Sequence, residues 1–195
     1  MKQDIILAGV GGQGILSIAT VIGAAALQQG LYLKQAEVHG MSQRGGDVQS
    51  HLRLSSEPIY SDLIPRGDAS LIVSLEPMEA LRYVPWLAKD GWIVTNTTPL
   101  VNIPNYPEMD KVVEALHKFP HVVAVDADTI AKELNNPRGA NMVLLGAAAS
   151  VIGILEPETL REGIRRVFGR KGDAVVDANI KAFDAGLSLS QNSQK

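Results

Sequence analysis

Apolar residues in this chain follow two periods, and the way they alternate lays out the fold. Ile5, Ile6, Leu7, Ala8 and Val10 form an almost unbroken apolar run, the pattern of a central strand covered on both faces. The run passes into Gly9-Val10-Gly11-Gly12-Gln13-Gly14. Ile15, Ile18, Ala19, Ile22 and Ala26 then recur at helical spacing, with Gly30 placed to cap the helix C-terminus. Residues 31–37 predict a second strand. Residues 38–46, VHGMSQRGG, hold three glycines and no apolar period, so a loop follows where a helix would continue a repeating unit. Over 47–54, Val48, Ser50, Leu52 and Leu54 alternate with Asp47, Gln49, His51 and Arg53, a half-buried strand. Ser55-Ser56-Glu57 turns it into a short extended piece around Ile59 and Tyr60, which gives a hairpin-like pair.

The rest of the chain alternates strands with helices. Residues 69–75 read as a buried strand, and Glu76-Pro77 opens a helix through Leu81 with proline at its first position. Pro85 interrupts that helix. A strand over 92–96, a Pro/Asn-rich loop over 96–106, an amphipathic helix over 110–119 (Val113, Leu116) and a strand over 121–125 follow. Asp128 is placed to cap a helix through Leu134, which Asn135-Asn136-Pro137-Arg138-Gly139 breaks. Helices over 142–153, 157–168 and 173–189 close the chain. One domain is expected over 1–187, with a disordered tail over 188–195. The fold class is α/β, a three-layer Rossmann-like sandwich with a mostly parallel, mixed sheet and an antiparallel hairpin insertion.

Composition narrows the function. A net charge of -3 with mixed signs argues against nucleic-acid binding. There are no cysteines, which removes disulfides, thiolate metal sites, cysteine-ligated iron–sulfur clusters and a cysteine nucleophile from this chain. The N-terminus reads as a first strand and not as a signal peptide, and the apolar run over 142–155 is too short to span a bilayer. A cytoplasmic chain with no membrane contact is expected.

Three stretches carry candidate chemistry. The first is the glycine turn, where G-x-G-x-x-G follows a strand and opens a helix. Glu37 lies 23 residues beyond Gly14, about where a dinucleotide fold places a ribose-binding acid. A nicotinamide or flavin site is therefore one possibility, although the loop and hairpin after the second strand break the βαβαβ order. The glycines could also merely permit a tight turn, or the turn could hold another phosphate or carboxylate. The second stretch, EVHGMSQRGGDVQSHLR over 37–53, places Arg44 beside Gly45 and Gly46. A guanidinium there suits a phosphate or carboxylate, and the competing reading is a solvated loop. His39 and His51 lack metal-ligand spacing, and His51 reads as surface or interface. The third is Glu76, on the same sheet edge as the glycine turn if its strand runs parallel to the first; Glu79 and Arg82 are spaced to pair. No nucleophile–base pair, P-loop, thiamine motif or CxxC is present. The chain reads as a binding module without catalytic machinery.

GVGGQGIL, EVHGMSQRGGDVQSHLR, LIP-x-G-x-A and LEPMEALRYVPWL together resemble the gamma-type domain of the 2-oxoacid:ferredoxin oxidoreductases, over residues 4–185. The HGMSQRGG form resembles the beta subunit of the indolepyruvate branch. The resemblance implies oxidative decarboxylation of indolepyruvate or another arylpyruvate with coenzyme A and ferredoxin, giving aryl-acetyl-CoA and CO2. It places thiamine diphosphate, Mg2+ and the [4Fe-4S] clusters on a partner alpha subunit, with ferredoxin met through the complex. Carried over, Gly11, Gly12, Gln13 and Gly14, with Arg44, Gly45 and Gly46, would bind ligand. His39, Gly40, Ser42, Gln43 and Glu76 would line the shared site or interface. No residue is assigned a catalytic or metal-binding role. The isolated chain is expected to be inactive, and bare partner-facing surface would favour its self-association. The alternatives are a stand-alone NAD-dependent dehydrogenase and a nucleotide-sensing module.

Overall fold

A computed structural model describes residues 1–39 and 45–193, the side chains of residues 39 and 191–193 excepted. Its strands are β1 (Lys2–Val10), β2 (Tyr32–His39), β3 (Asp47–Ser55), β4 (Ala69–Ser74), β5 (Leu87–Asn96) and β6 (Val122–Val125). Its helices are α1 (Ile15–Gln28), α2 (Pro77–Arg82), α3 (Met109–Leu116), α4 (Ala127–Glu133), α5 (Ala140–Ala149), α6 (Pro157–Phe168) and α7 (Asp173–Ser193). The strands form one mixed sheet in the order β2-β3-β1-β4-β5-β6.

The period of two explains why β1 is apolar throughout. Ile5 and Leu7 face one core with Leu71, Val73 and Val94, while Ile6 and Ala8 face the other with Ile72. On the first face α1 and α5 lie on the sheet, with α6 packed outside α1 and α7 outside α5. Residues Asn141–Ala149 of α5 are all buried, as a helix between a sheet and another helix must be. The second face carries α2, a 3-10 turn at Val84–Trp86 and α3.

β1, β4, β5 and β6 pair in parallel. The antiparallel insertion is placed differently from the sequence expectation. β2 itself pairs with β3, from Tyr32↔Ser55 to His39↔Val48, and β3 pairs antiparallel with β1. Ile59 and Tyr60 form no strand. β5 begins at Leu87, five residues before the expected 92, along an exposed Lys89-Asp90 stretch that carries no alternation. In α3 the buried positions are Val112 and Leu116, and Val113 is exposed. Asp126, not Asp128, caps α4, accepting from the Thr129 N–H at 3.1 Å. The tail expected from residue 188 is helical through Ser193, with Ser190 buried and donating from Oγ to the Leu187 carbonyl. No helix among the described residues is long and apolar enough to cross a membrane.

The connections fix where a ligand can sit. After β1 the chain leaves through α1 toward β2; after β4, its neighbour, it leaves through α2 toward β5. Adjacent strands whose connections diverge open a crevice at their carboxyl ends. The glycine turn and Glu76 lie at that crevice.

Candidate functional site

The crevice is built from glycine geometry. Gly12 and Gly14 have φ of 101° and 90°, the left-handed region that side chains disfavour. A Cβ on Gly14 would also lie 2.6 Å from Asn141 Nδ2. Gly14 is the N-cap of α1 and supplies no side chain to it. Its carbonyl accepts from Ser17 and Ile18, while the N–H groups of Ile15 and Leu16 have no acceptor among the described residues. Unpaired amides at the positive end of a helix of this length can hold an anion.

Gln13 closes the crevice floor. Its Oε1 accepts from the Val10 N–H at 2.7 Å and its Nε2 donates to the Leu75 carbonyl at 3.1 Å. The side chain therefore staples the turn after β1 to the end of β4. Gly11 N–H donates to the Gly46 carbonyl at 2.9 Å, and Asn102 Nδ2 donates to the Gly45 carbonyl at 2.7 Å. The end of the Gly45-Gly46 loop is thus fastened to the turn on one side and to the 97–108 loop on the other. Gly40, Ser42, Gln43 and Arg44, with the side chain of His39, lie outside the described residues.

Beside the turn is a cleft of about 310 Å³, lined by Gly12, Gly14, Asn96, Asp128, Arg138 and Asn141 among others. That is the lower end of the range for small-ligand sites. Asn96 is buried and joins three elements. Its Nδ2 donates to Asp128 Oδ2 at 2.6 Å and to the Leu75 carbonyl, and its Oδ1 accepts from the Ala127 N–H. Asn141 Nδ2 donates to the Gly14 carbonyl at 3.3 Å, so α5 is tied directly to the turn. Asn96, Arg138 and Asn141 are not marked for the site by any sequence motif. Asn96 did carry a signal, a polar residue at the carboxyl end of a parallel strand. Arg138 and Asn141 lie in a stretch that reads only as a helix break.

Glu76 is brought to the same edge, with β4 parallel to β1 as required. Its carboxylate is buried and caps α2, accepting from the Glu79 N–H at 2.8 Å. It also accepts from the Leu100 N–H and the Tyr106 hydroxyl. Burial, and then this bond to a carboxylate, push the Tyr106 phenol well above its ordinary pKa. Glu79 pairs with Arg82 at 2.7 Å as the spacing predicts. Burial raises the Glu79 pKa against the opposing pull of Arg82. His51 is not a surface residue: it is 5% exposed, and its Nδ1 accepts from the Ile64 N–H at 3.0 Å. Burial, helped by the nearby Arg53, lowers its pKa. Glu37 lies on β2, with β3 between it and β1, so it does not border the turn. No group of His, Asp and Glu among the described residues is arranged to hold a metal ion.

Comparison with known proteins places this geometry. Residues 4–189 match the family model described as pyruvate ferredoxin/flavodoxin oxidoreductase. The indolepyruvate oxidoreductase subunit IorB of Thermococcus kodakarensis is 39% identical over 204 aligned positions, covering 98% of each chain. The 2-oxoglutarate:ferredoxin oxidoreductase of Magnetococcus marinus, solved with 2-oxoglutarate, coenzyme A and succinyl-CoA bound, superposes with a TM-score of 0.77 at 25% identity. That match covers 98% of this chain but 31% of the other, so this chain spans about a third of the longer protein. The pyruvate oxidoreductase subunit PORC of Thermotoga maritima shares the fold, with a TM-score of 0.72 at 24% identity over 95% of this chain and 94% of that one. A match running from the first strand into the last helix takes in the glycine turn, the Gly45-Gly46 loop and the cleft together, and the chain accordingly belongs to the pyruvate ferredoxin/flavodoxin oxidoreductase family.

Proposed function

We propose that this chain is the small subunit of a heteromeric oxidoreductase that decarboxylates indolepyruvate or a related arylpyruvate oxidatively with coenzyme A and ferredoxin. In this reading it supplies an anion-holding subsite for coenzyme A and a docking face for a larger subunit. The carrying observation is the convergence, at the switch point, of the glycine turn, the Gly45-Gly46 loop and the cleft walled by α5. Full-length similarity to an indolepyruvate oxidoreductase subunit supports the substrate class.

Iron–sulfur clusters do not fit this chain, because it has no cysteine to ligate them. They are assigned to the partner, as are thiamine diphosphate and Mg2+. What this chain contributes is electrostatic and positional. The free amides of Ile15 and Leu16 meet a phosphate, Gln13 fixes the turn against β4, and Asn141 sets the opposite wall. No proton transfer is assigned to any residue here.

The test is co-expression with a thiamine- and cluster-bearing subunit, with ferredoxin reduction assayed on indolepyruvate and coenzyme A. The complex is expected to be active and this chain alone inactive. Gly12→Val should raise the KM for coenzyme A at least about tenfold, since one lost charge-assisted contact is worth roughly 1.5–3 kcal/mol. Activity of the isolated chain would refute the subunit assignment. An unchanged KM in the variant would refute the subsite.

A further inference from the structure

The cleft holds a cation that the fold does not use. Arg138 stands on the loop between α4 and α5, is exposed, and has no hydrogen bond or ion pair among the described residues. Asp128 lines the same cleft. Its Oδ2 accepts from Asn96 Nδ2 at 2.6 Å, and its Oδ1 has no partner among the described residues. A half-buried carboxylate is unfavourable in a site that holds only a bare anion, because like charges repel. It is favourable where the ligand carries a hydrogen-bond donor next to its negative group, which the free oxygen can accept. The Asn141–Gly14 and Asn96–Leu75 bonds hold this wall and the glycine turn in a fixed relation.

We infer that Arg138 and Asp128 make the cleft selective for a phosphate ester bearing a hydroxyl beside the phosphate, a phosphorylated ribose in chemical class, over inorganic phosphate. Arg138 pairs with the phosphate and Asp128 accepts from the hydroxyl. This rests on the assignment of the cleft to coenzyme A, whose phosphorylated ribose has that arrangement.

The two groups can be separated by substitution in the full chain. Arg138→Gln removes a side chain that supports nothing in the fold. Asp128→Asn keeps an oxygen that can accept from Asn96. Coenzyme A affinity is measured by calorimetry, and inorganic phosphate as its competitor, for the wild type and both variants. Arg138→Gln should weaken coenzyme A at least about tenfold and flatten its salt dependence. Asp128→Asn should move the two probes in opposite directions, coenzyme A several-fold weaker and phosphate tighter. A purely structural role would move both the same way. Unchanged coenzyme A affinity in Arg138→Gln, or an unchanged ratio between the probes in Asp128→Asn, overturns the inference and leaves the subsite standing if Gly12→Val still weakens coenzyme A at least about tenfold. No coenzyme A binding by the wild type overturns both.

Discussion

Protonating His51 must break a bond, because the Nδ1 that would gain the proton is the atom accepting from the Ile64 N–H. The ring is buried edge-on against Trp86 at 6.2 Å, and Arg53, on the same strand and face, adds positive charge. Arg53 is itself held by Asp4 through two bonds at 2.9 and 3.2 Å and donates to the carbonyls of Ser61 and Leu63, so the 57–66 segment is fastened at both residues. Asp62 and Asp4 oppose the downward shift but do not reverse it. The folded pKa therefore lies below the unfolded value of about 6.5. Below that value the unfolded chain binds the proton that the folded chain refuses, so stability falls as pH drops from about 6.5 to the folded pKa and then levels. Each pH unit inside that window removes up to about 1.4 kcal/mol. Urea unfolding at stepped pH should show this decline. His51→Gln, whose amide oxygen can still accept from Ile64, should flatten it. A decline that persists unaltered in the variant would assign it to another group.

At the scale of elements, the tightest junction is between α5 and α7. A Cβ on Gly146 would lie 1.9 Å from the Phe183 carbonyl oxygen, and one on Gly186 would lie 1.8 Å from that of Val143. Backbone cannot yield there as a flexible side chain can, so the two helices must separate. Gly146→Ala is expected to cost more than about 3 kcal/mol. Gly153→Ala, with no atom within 4 Å of the added methyl, should change stability by less than about 0.5 kcal/mol. Equal urea midpoints for the two variants would show that the helices are not held this closely. This junction marks what the sequence discloses and what it withholds. Both helices are legible from local properties, α7 from its apolar period of 3.6 and α5 from an unbroken apolar run too long for a strand, and so are the strands with their period of two. The pairing of Gly146 with Gly186 is not, since each glycine is required only by the other helix. The hairpin shows the same boundary: Leu52 and Leu54 announce a strand, but β2 as its neighbour is a matter of loop closure. Asp128 reads as the α4 cap, but Asp126, two residues earlier, is the one that holds the Thr129 N–H, and local spacing does not disclose it.

For the whole molecule, topology determines which residues meet. The glycine turn is legible because its residues are contiguous. Asn96, Asp128, Arg138 and Asn141 come from four places between β5 and α5 and converge only because β5 and α4 close over the end of β4. The same topology separates the site from a dinucleotide site that shares its fingerprint. In a dinucleotide fold the ribose-binding acid ends the strand beside the first one. Here β3 intervenes, placing Glu37 two strand spacings from β1, roughly 10 Å, which is too far to bind a ribose seated over the turn. Gln13 also fills the crevice floor with its amide. A thermal-shift comparison puts both arguments at risk. Coenzyme A at about one hundred times its Kd should stabilise the full chain by about 2.7 kcal/mol, a rise of about 5–10 °C in Tm for a chain of this length. NAD at the same concentration should leave Tm unmoved, and Glu37→Ala should change neither result. A rise with NAD that disappears in Glu37→Ala would mean that β3 does not separate the acid from the ligand, and the cleft toward α5 would not be the site.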